Sequence, residues 1–368
     1  MRPLKVIISG GGTGGHIFPA IAIANALKAA YNNIEFLFVG AEGRMEMEKV
    51  PAAGFKIEGL WISGLQRKLT ASNLLFPVKV IASLNKARKI FKSFNPDVAI
   101  GTGGYASGPM LRVAAGKGIP TVIQEQNSYP GITNKLLGRK VSKICVAFNG
   151  MEKFFPKEKI VLTGNPVRKD ITNLDGKRAE AIQFFGLHPS KKILLVIGGS
   201  LGARTINESI EKILPELATQ QIQLIWQTGK PFYPQSKVAV ERYKESGIKS
   251  YDFVSKMDLA YAAADVVVSR AGAISLSELA VTGKACILVP SPNVAEDHQN
   301  KNAMALVKNK AAILVKDIEA NKKLGMEIIQ LFNNESQQKE LQHNIRSMAL
   351  VNAAEKIAAE ILKLVPKE

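Results

Sequence analysis

Two glycine-rich loops, each entered from an apolar run and each opening a helical pattern, constrain this chain more than any other feature. LKVIIS leads into Gly10-Gly11-Gly12-Thr13-Gly14-Gly15, and the helical pattern IFPAIAIANALKAAY follows. KKILLVIGGS leads into Gly198-Gly199-Ser200-Leu201-Gly202-Ala203, followed by RTINESIEKILPEL. The loops begin 188 residues apart in a chain of 368. After the first come strand-like runs at 34–40, 97–101, 120–124 and 143–148; after the second, runs at 223–229, 265–270 and 285–290. Helical patterns such as 77–94 intervene. Apolar strands alternating with helices imply parallel sheets covered on both faces. Because the pattern restarts, the expected fold class is α/β, with two Rossmann-like domains and a ligand cleft between them. The expected domains are 1–165 and 166–346, divided near the turn-rich TGNPVRKD. SMALVNAAEKIAAEILKLV (347–365) reads as one amphipathic helix that packs back on the first domain.

Several classes are excluded by composition. Hydrophobic residues form 46% of the chain, enough for ordinary buried cores. The only two cysteines, Cys145 and Cys286, sit inside strand-like apolar runs and read as small buried hydrophobes. No apolar stretch is long enough to span a bilayer, and the short N-terminal apolar run ends in glycines rather than a signal-peptide cleavage site. The expectation is therefore a cytoplasmic protein. The net charge of +18 is unevenly spread: between Gly59 and Met151 there are thirteen Lys and Arg against two acids, Asp97 and Glu125. Nucleic acid, an anionic membrane or a phosphorylated substrate each fits that excess.

The first loop matches the dinucleotide fingerprint in form, but the second strand ends Phe38-Val39-Gly40 without the acid that would bind a ribose. A nucleotide-sugar diphosphate at the helix N-termini fits both loops better. His16 follows the first loop directly, where a helix N-terminus favours the neutral, base-competent imidazole. After DVVVSR, the small residues of Ala271–Ser277 permit close approach of a ligand, and Glu278, one turn into the helix, can accept from ribose hydroxyls. The chain contains no D-x-D, so no catalytic metal is expected. No other cofactor is expected either. Leaving-group charge would then fall to helix ends, loop N–H groups and a cation such as Arg168.

GGTGGH (11–16), GGYASGP (103–109), EQN (125–127), GNPVR (164–168), GGSLGA (198–203), AISLSE (273–278) and DHQNKNA (297–303) occur in that order. Together they resemble the MurG family of peptidoglycan glycosyltransferases over essentially the whole chain. The resemblance implies a glycosyltransferase-B fold. It also implies inverting transfer of N-acetylglucosamine from its UDP donor to the undecaprenyl-diphosphate-linked muramyl-pentapeptide, at the cytoplasmic face of the bacterial plasma membrane. The first domain would take the lipid acceptor and the second the donor. By matching motif, Thr13, Gly14, Gly15, Asn127, Arg168, Ser200 and Gln299 are implied in donor binding. Val254 would present its backbone to uracil, and Ala273, Ile274, Ser275, Leu276, Ser277 and Glu278 would line the nucleotide, with Glu278 on the ribose. Leu201 stands where the family commonly has Gln, and His298 where other members often do.

The reaction needs a base for the acceptor hydroxyl. His16 is the first candidate and Glu125, at a strand's C-terminal end, the second. Gly103, Gly104 and Tyr105 would cradle the acceptor diphosphate through backbone N–H groups. Leu74, Leu75, Phe76, Val78 and Ile81, among Arg67, Lys68, Lys79, Lys86, Arg88, Lys89 and Lys92, suit a patch (67–92) that dips into an anionic leaflet; Lys135, Arg139, Lys140 and Lys143 extend it. The rival readings are an epimerase or another lipid glycosyltransferase of the same architecture, an NAD-dependent oxidoreductase, and a nucleic-acid binder. No nucleic-acid module is recognisable, so no nucleic-acid partner is expected. The sequence points to no particular protein partner.

Overall fold

The computed structural model describes residues 2–64, 75–199 and 201–365. Ser200, Arg67, Lys68 and Leu74, singled out above, lie outside the described residues. The chain divides into two compact units, Met1–Val167 with Asn352–Glu368, and Arg168–Val351.

The first unit contains β1 (Leu4–Gly10), α1 (Gly14–Ala30), β2 (Ile34–Ala41), α2 (Glu46–Ala52), β3 (Ile57–Leu60), α3 (Phe76–Phe94), β4 (Val98–Gly103), α4 (Ser107–Gly116), β5 (Thr121–Glu125), α5 (Ile132–Leu137), β6 (Lys143–Val146) and β7 (Ile160–Leu162). Its seven strands are ordered β3-β2-β1-β4-β5-β6-β7, and each adjacent pair is parallel. The central strands are buried on both faces. Val6 and Ile8 pack with Ile17, Ile23 and Leu27 of α1. Ile7, on the opposite face, packs with Ile90 and Phe91 of α3 and with Met110 and Leu111 of α4. This two-sided burial is why these strands read as continuous apolar runs rather than as alternation.

The second unit contains α6 (Lys177–Phe185), β8 (Ile193–Ile197), α7 (Arg204–Lys212), α8 (Leu214–Thr219), β9 (Gln223–Gln227), α9 (Tyr233–Glu241), β10 (Ile248–Tyr251), α10 (Met257–Ala263), β11 (Val266–Ser269), α11 (Ala273–Thr282), β12 (Ala285–Leu288), α12 (His298–Val307), β13 (Ile313–Leu314), α13 (Asp317–Asn333) and α14 (Glu335–Ser347). Its sheet runs β10-β9-β8-β11-β12-β13, also parallel throughout. Both sheets therefore reverse their winding direction beside their first strand, between β1 and β4 and between β8 and β11. Ligands of open α/β sheets bind at such switch points.

The expected single helix over 347–365 is corrected. Asn352 takes a left-handed backbone (φ 56°), and the last helix, α15, spans only Ala353–Leu362. Its Ile357, Ala358 and Ile361 join the α1 side of the first core. Both cysteines are buried, and burial pushes each thiol up to about 12, so neither supplies a thiolate. Ile357 is fully buried, so Ile357→Ala should cost about 2–5 kcal/mol in equilibrium urea unfolding. A loss below about 1 kcal/mol would mean that α15 rests on the unit without completing its core.

Candidate active site

In the first unit the site forms where β1 and β4 end side by side. Gly10 pairs with Gly103, and the register shifts there. Gly103 and Gly104 both take positive φ (100° and 83°). A Cβ on Gly104 would collide with the Gly11 carbonyl oxygen, and one on Gly103 would lie 2.8 Å from the His16 ring. These glycines let the two loops close on each other and bring the ring against the 103–104 turn. Tyr105 is half exposed, and its ring lies so close to Gly64 that no Cβ would fit there.

Thr13 occupies the N-cap of α1 without a side-chain cap bond, and Gly14 and Gly15 form the first turn, whose N–H groups have no intrahelical acceptor. His16 Nδ1 lies 3.0 Å from Gln126 Oε1. Gln126 Nε2 donates to the Thr102 and Gln124 carbonyls, at 2.7 and 3.1 Å, and also contacts Gln124 Oε1. With its amide nitrogen so used, Gln126 presents oxygen to the imidazole, and Nδ1 must carry the proton. The Nε2 lone pair is left to accept one. Burial lowers the His16 pKa below 6.5, against the opposing effects of Gln126, Thr102 and Glu46. The ring is therefore neutral and base-competent at neutral pH.

Glu125 is differently placed. It is only 1% exposed, and both of its oxygens accept N–H groups. Oε1 receives Asn127 N (2.9 Å) and Asn127 Nδ2 (3.2 Å), and Oε2 receives Asn134 Nδ2 (2.8 Å) and Gly131 N (3.2 Å). Burial raises its pKa, while those donors oppose the rise. Its visible work is to fold the 126–134 loop, which fixes Gln126 and Asn127.

In the second unit, Arg168 Nε donates to Glu278 Oε1 at 3.1 Å, and the Tyr261 hydroxyl donates to Oε2 at 3.2 Å. Burial raises the Glu278 pKa, and Arg168 pulls it back. Gly272 caps α11 with an extended backbone, so Ala273, Ile274 and Ser275 form its first turn. Leu276 points into the core at 1% exposure, while Ser277 is half-buried. Beside the second glycine loop, Gln227 Nε2 donates to the Gly199 carbonyl (3.1 Å), and its Oε1 accepts from Val254 N (2.9 Å). One amide thus ties the loop to the segment expected to meet uracil. Gln299 Oε1 accepts from Ser291 N at 2.9 Å.

The profile of the glycosyltransferase family 28 N-terminal domain matches residues 6–146, and that of the family 28 C-terminal domain matches 193–361. A UDP-N-acetylglucosamine--N-acetylmuramyl-(pentapeptide) pyrophosphoryl-undecaprenol N-acetylglucosamine transferase of Cytophaga hutchinsonii is 56% identical, over 99% of this chain and 98% of that protein. One of the same name from Flavobacterium psychrophilum is 53% identical over the whole of both chains. The chain belongs to the MurG family. The crystal structure of Acinetobacter baumannii MurG superposes with a TM-score of 0.80 at 26% identity, covering 98% of this chain and all of that one. A UDP-GlcNAc 2-epimerase from Neisseria meningitidis (TM-score 0.64, 15% identity) shares the fold alone. The expected pair of α/β domains of the glycosyltransferase-B type is thus borne out.

The sequence assigns no role to Gln126, although it lies in the EQN motif, nor to Tyr261 and Gln227: a neutral side chain carries no signal of its role until the fold supplies its partners. If Gln126 sets the His16 tautomer, ¹⁵N spectra of the neutral ring will show Nδ1 as the protonated nitrogen. A predominant Nε2–H form would contradict the arrangement.

Proposed function

We infer that the chain transfers N-acetylglucosamine from UDP-N-acetylglucosamine to the 4-hydroxyl of the undecaprenyl-diphosphate-linked N-acetylmuramyl-pentapeptide, in peptidoglycan synthesis. The observation that carries this reading is relationship over essentially the full length, at 53–56% identity, to enzymes named for that transfer. The acceptor falls to the first unit and the donor to the second. The acceptor oxygen attacks the anomeric carbon from the face opposite UDP and inverts it. The carbon–oxygen bond to UDP breaks as the new glycosidic bond forms, and the hydroxyl proton passes to His16 Nε2. Of the two base candidates, His16 has a ring nitrogen, Nε2, with no hydrogen-bond partner among the described residues, whereas both Glu125 oxygens accept internal bonds. Gly103, Gly104 and Tyr105 are assigned to the acceptor diphosphate. Thr13, Gly14, Gly15, Asn127, Arg168, Ser200, Val254, Ala273–Glu278 and Gln299 are assigned to the donor, with Glu278 taking the ribose hydroxyls while Arg168 offsets its charge.

We assign membrane contact to α3. Val78, Ile81, Asn85, Arg88, Lys89 and Lys92 recur at helical spacing on one exposed side, while Ser83, Ala87, Ile90 and Phe91 are buried. Val78 and Ile81 are 51% and 61% exposed, so they are not the core stripe of an ordinary surface helix. Trp61 and Leu75 add further exposed apolar surface, with Lys79 stacked over Trp61 at 5.6 Å. Ile132 and Leu136 of α5 are also exposed, near Lys135, which stacks on Tyr129. No helix among the described residues is long and apolar enough to cross a membrane. This surface suits a peripheral enzyme at the cytoplasmic leaflet.

UDP release from UDP-N-acetylglucosamine should depend on the lipid-linked muramyl acceptor; equal release without acceptor, or equal rates with UDP-glucose, would refute the assignment. His16→Ala should lower kcat by roughly 10²–10⁴-fold. Replacing Arg88, Lys89 and Lys92 together with Ala should weaken binding to anionic liposomes by about 3 kcal/mol, roughly a hundredfold. Undiminished binding would make α3 a merely solvated face.

A further inference from the structure

Glu46 opens α2 and is 1% exposed, yet among the described residues no Lys or Arg pairs with it. Its carboxylate is held by backbone alone. Oε1 accepts from Ala41 N and Oε2 from Gly12 N, each at 3.0 Å. A buried carboxylate is costly unless its lone pairs are satisfied, so the surrounding chain must be shaped to receive it. The glycines show that shaping. A Cβ on Gly11 would overlap the carboxylate, and one on Gly40 would come within 2.5 Å of Glu46 Cγ. Glu42, in the preceding turn, pairs instead with Lys86 at 3.3 Å.

Two consequences follow for the first glycine loop. Its first N–H groups are spent internally, Gly11 N on the Gly103 carbonyl (3.3 Å) and Gly12 N on Glu46. The loop also carries a fixed negative charge beneath it, which an anion-binding loop would not choose. The Gly12 peptide that this carboxylate holds lies four residues before His16, and the negative charge raises the pKa of the ring, though less than its contacts with Gln126 and Thr102 do.

We propose that Glu46 is a positioning residue of the transfer reaction: it turns the Gly12 peptide inward, so that the ligand-facing N–H groups begin at Thr13, and it sets a negative charge beneath the loop that leads into His16, which favours the ring once it has taken the acceptor's proton. This rests on His16 as the base. A glutamine would keep the size of the side chain but offer one acceptor oxygen and one N–H donor where two N–H groups must be met. Hydrogen bonding alone can thus select a carboxylate here, and only the effect on the ring's titration distinguishes the electrostatic role.

The chain has four histidines, so the His16 ring can be followed by NMR, with its signals identified by their loss in His16→Ala. In Glu46→Gln the His16 pKa should fall by roughly half a unit or more, and the acidic limb of kcat/KM should move down in pH with it. Glu46→Asp, which retains the charge, should give a smaller fall. A folded Glu46→Gln whose His16 titrates as in the unaltered chain would overturn the proposal, however much its rate fell. If Glu46→Gln does not fold, the uncharged Glu46→Ala decides by the same readout: a lowered His16 pKa supports the proposal and an unmoved one ends it. An acidic limb that survives His16→Ala would instead remove the base assignment itself, whatever the NMR titration shows.

Discussion

The close approach of two backbones at the ends of β1 and β4 is the constraint on which the first unit's chemistry depends. Gly10 and Gly103 lie in register, and no Cβ could stand at Gly104 without striking the Gly11 carbonyl. Because the backbones meet, the Thr102 hydroxyl can donate to the His16 carbonyl (2.9 Å), and the Thr102 carbonyl can hold Gln126. Gln126 then fixes the ring. Removing the tight contact would do more than loosen a turn, since each later hydrogen bond takes its geometry from that meeting.

The two units share a topology but use their loops differently. In the first, an internal carboxylate and a carbonyl consume N–H groups at the start of the loop. In the second, Gly202 N closes the turn onto the Gly199 carbonyl, and Gln227 supports the same carbonyl from β9. No acid intrudes in these bonds. The first arrangement suits a site that manages a proton; the second suits one that steadies a phosphate. The common fold explains the likeness to epimerases, and the proposed activity rests on details around His16 and Glu278 rather than on the fold.

Most of this was legible in the sequence where burial was two-sided. The central strands and both loops were found because apolar runs ending in glycine are distinctive. Every strand that escaped, β3, β7, β10 and β13, lies at a sheet edge, where short and partly exposed segments lose the apolar signature. The break before α15 was missed because apolar periodicity is silent about a left-handed Asn352. Among the site residues, His16 and Glu278 were legible as charged or titratable groups beside a loop or strand end. Gln126 was not, because its partner is 110 residues away, nor was Glu46, 34 residues from Gly12. Such contacts are products of the fold and leave no local pattern.

The placement of α15 bears on how the chain comes into being. Residues 353–362 are synthesised after the whole of the second unit, yet Ile357, Ala358 and Ile361 belong to a core whose other buried members lie between Leu4 and Cys145. The amino-terminal unit therefore emerges from the ribosome with an apolar groove along α1 still uncovered. It must wait while the intervening unit is made, which has its own separate core and can fold during that interval. The order of completion is thus the reverse of the order of synthesis, and the core of the unit holding His16 is complete only after residues 353–362 have been made.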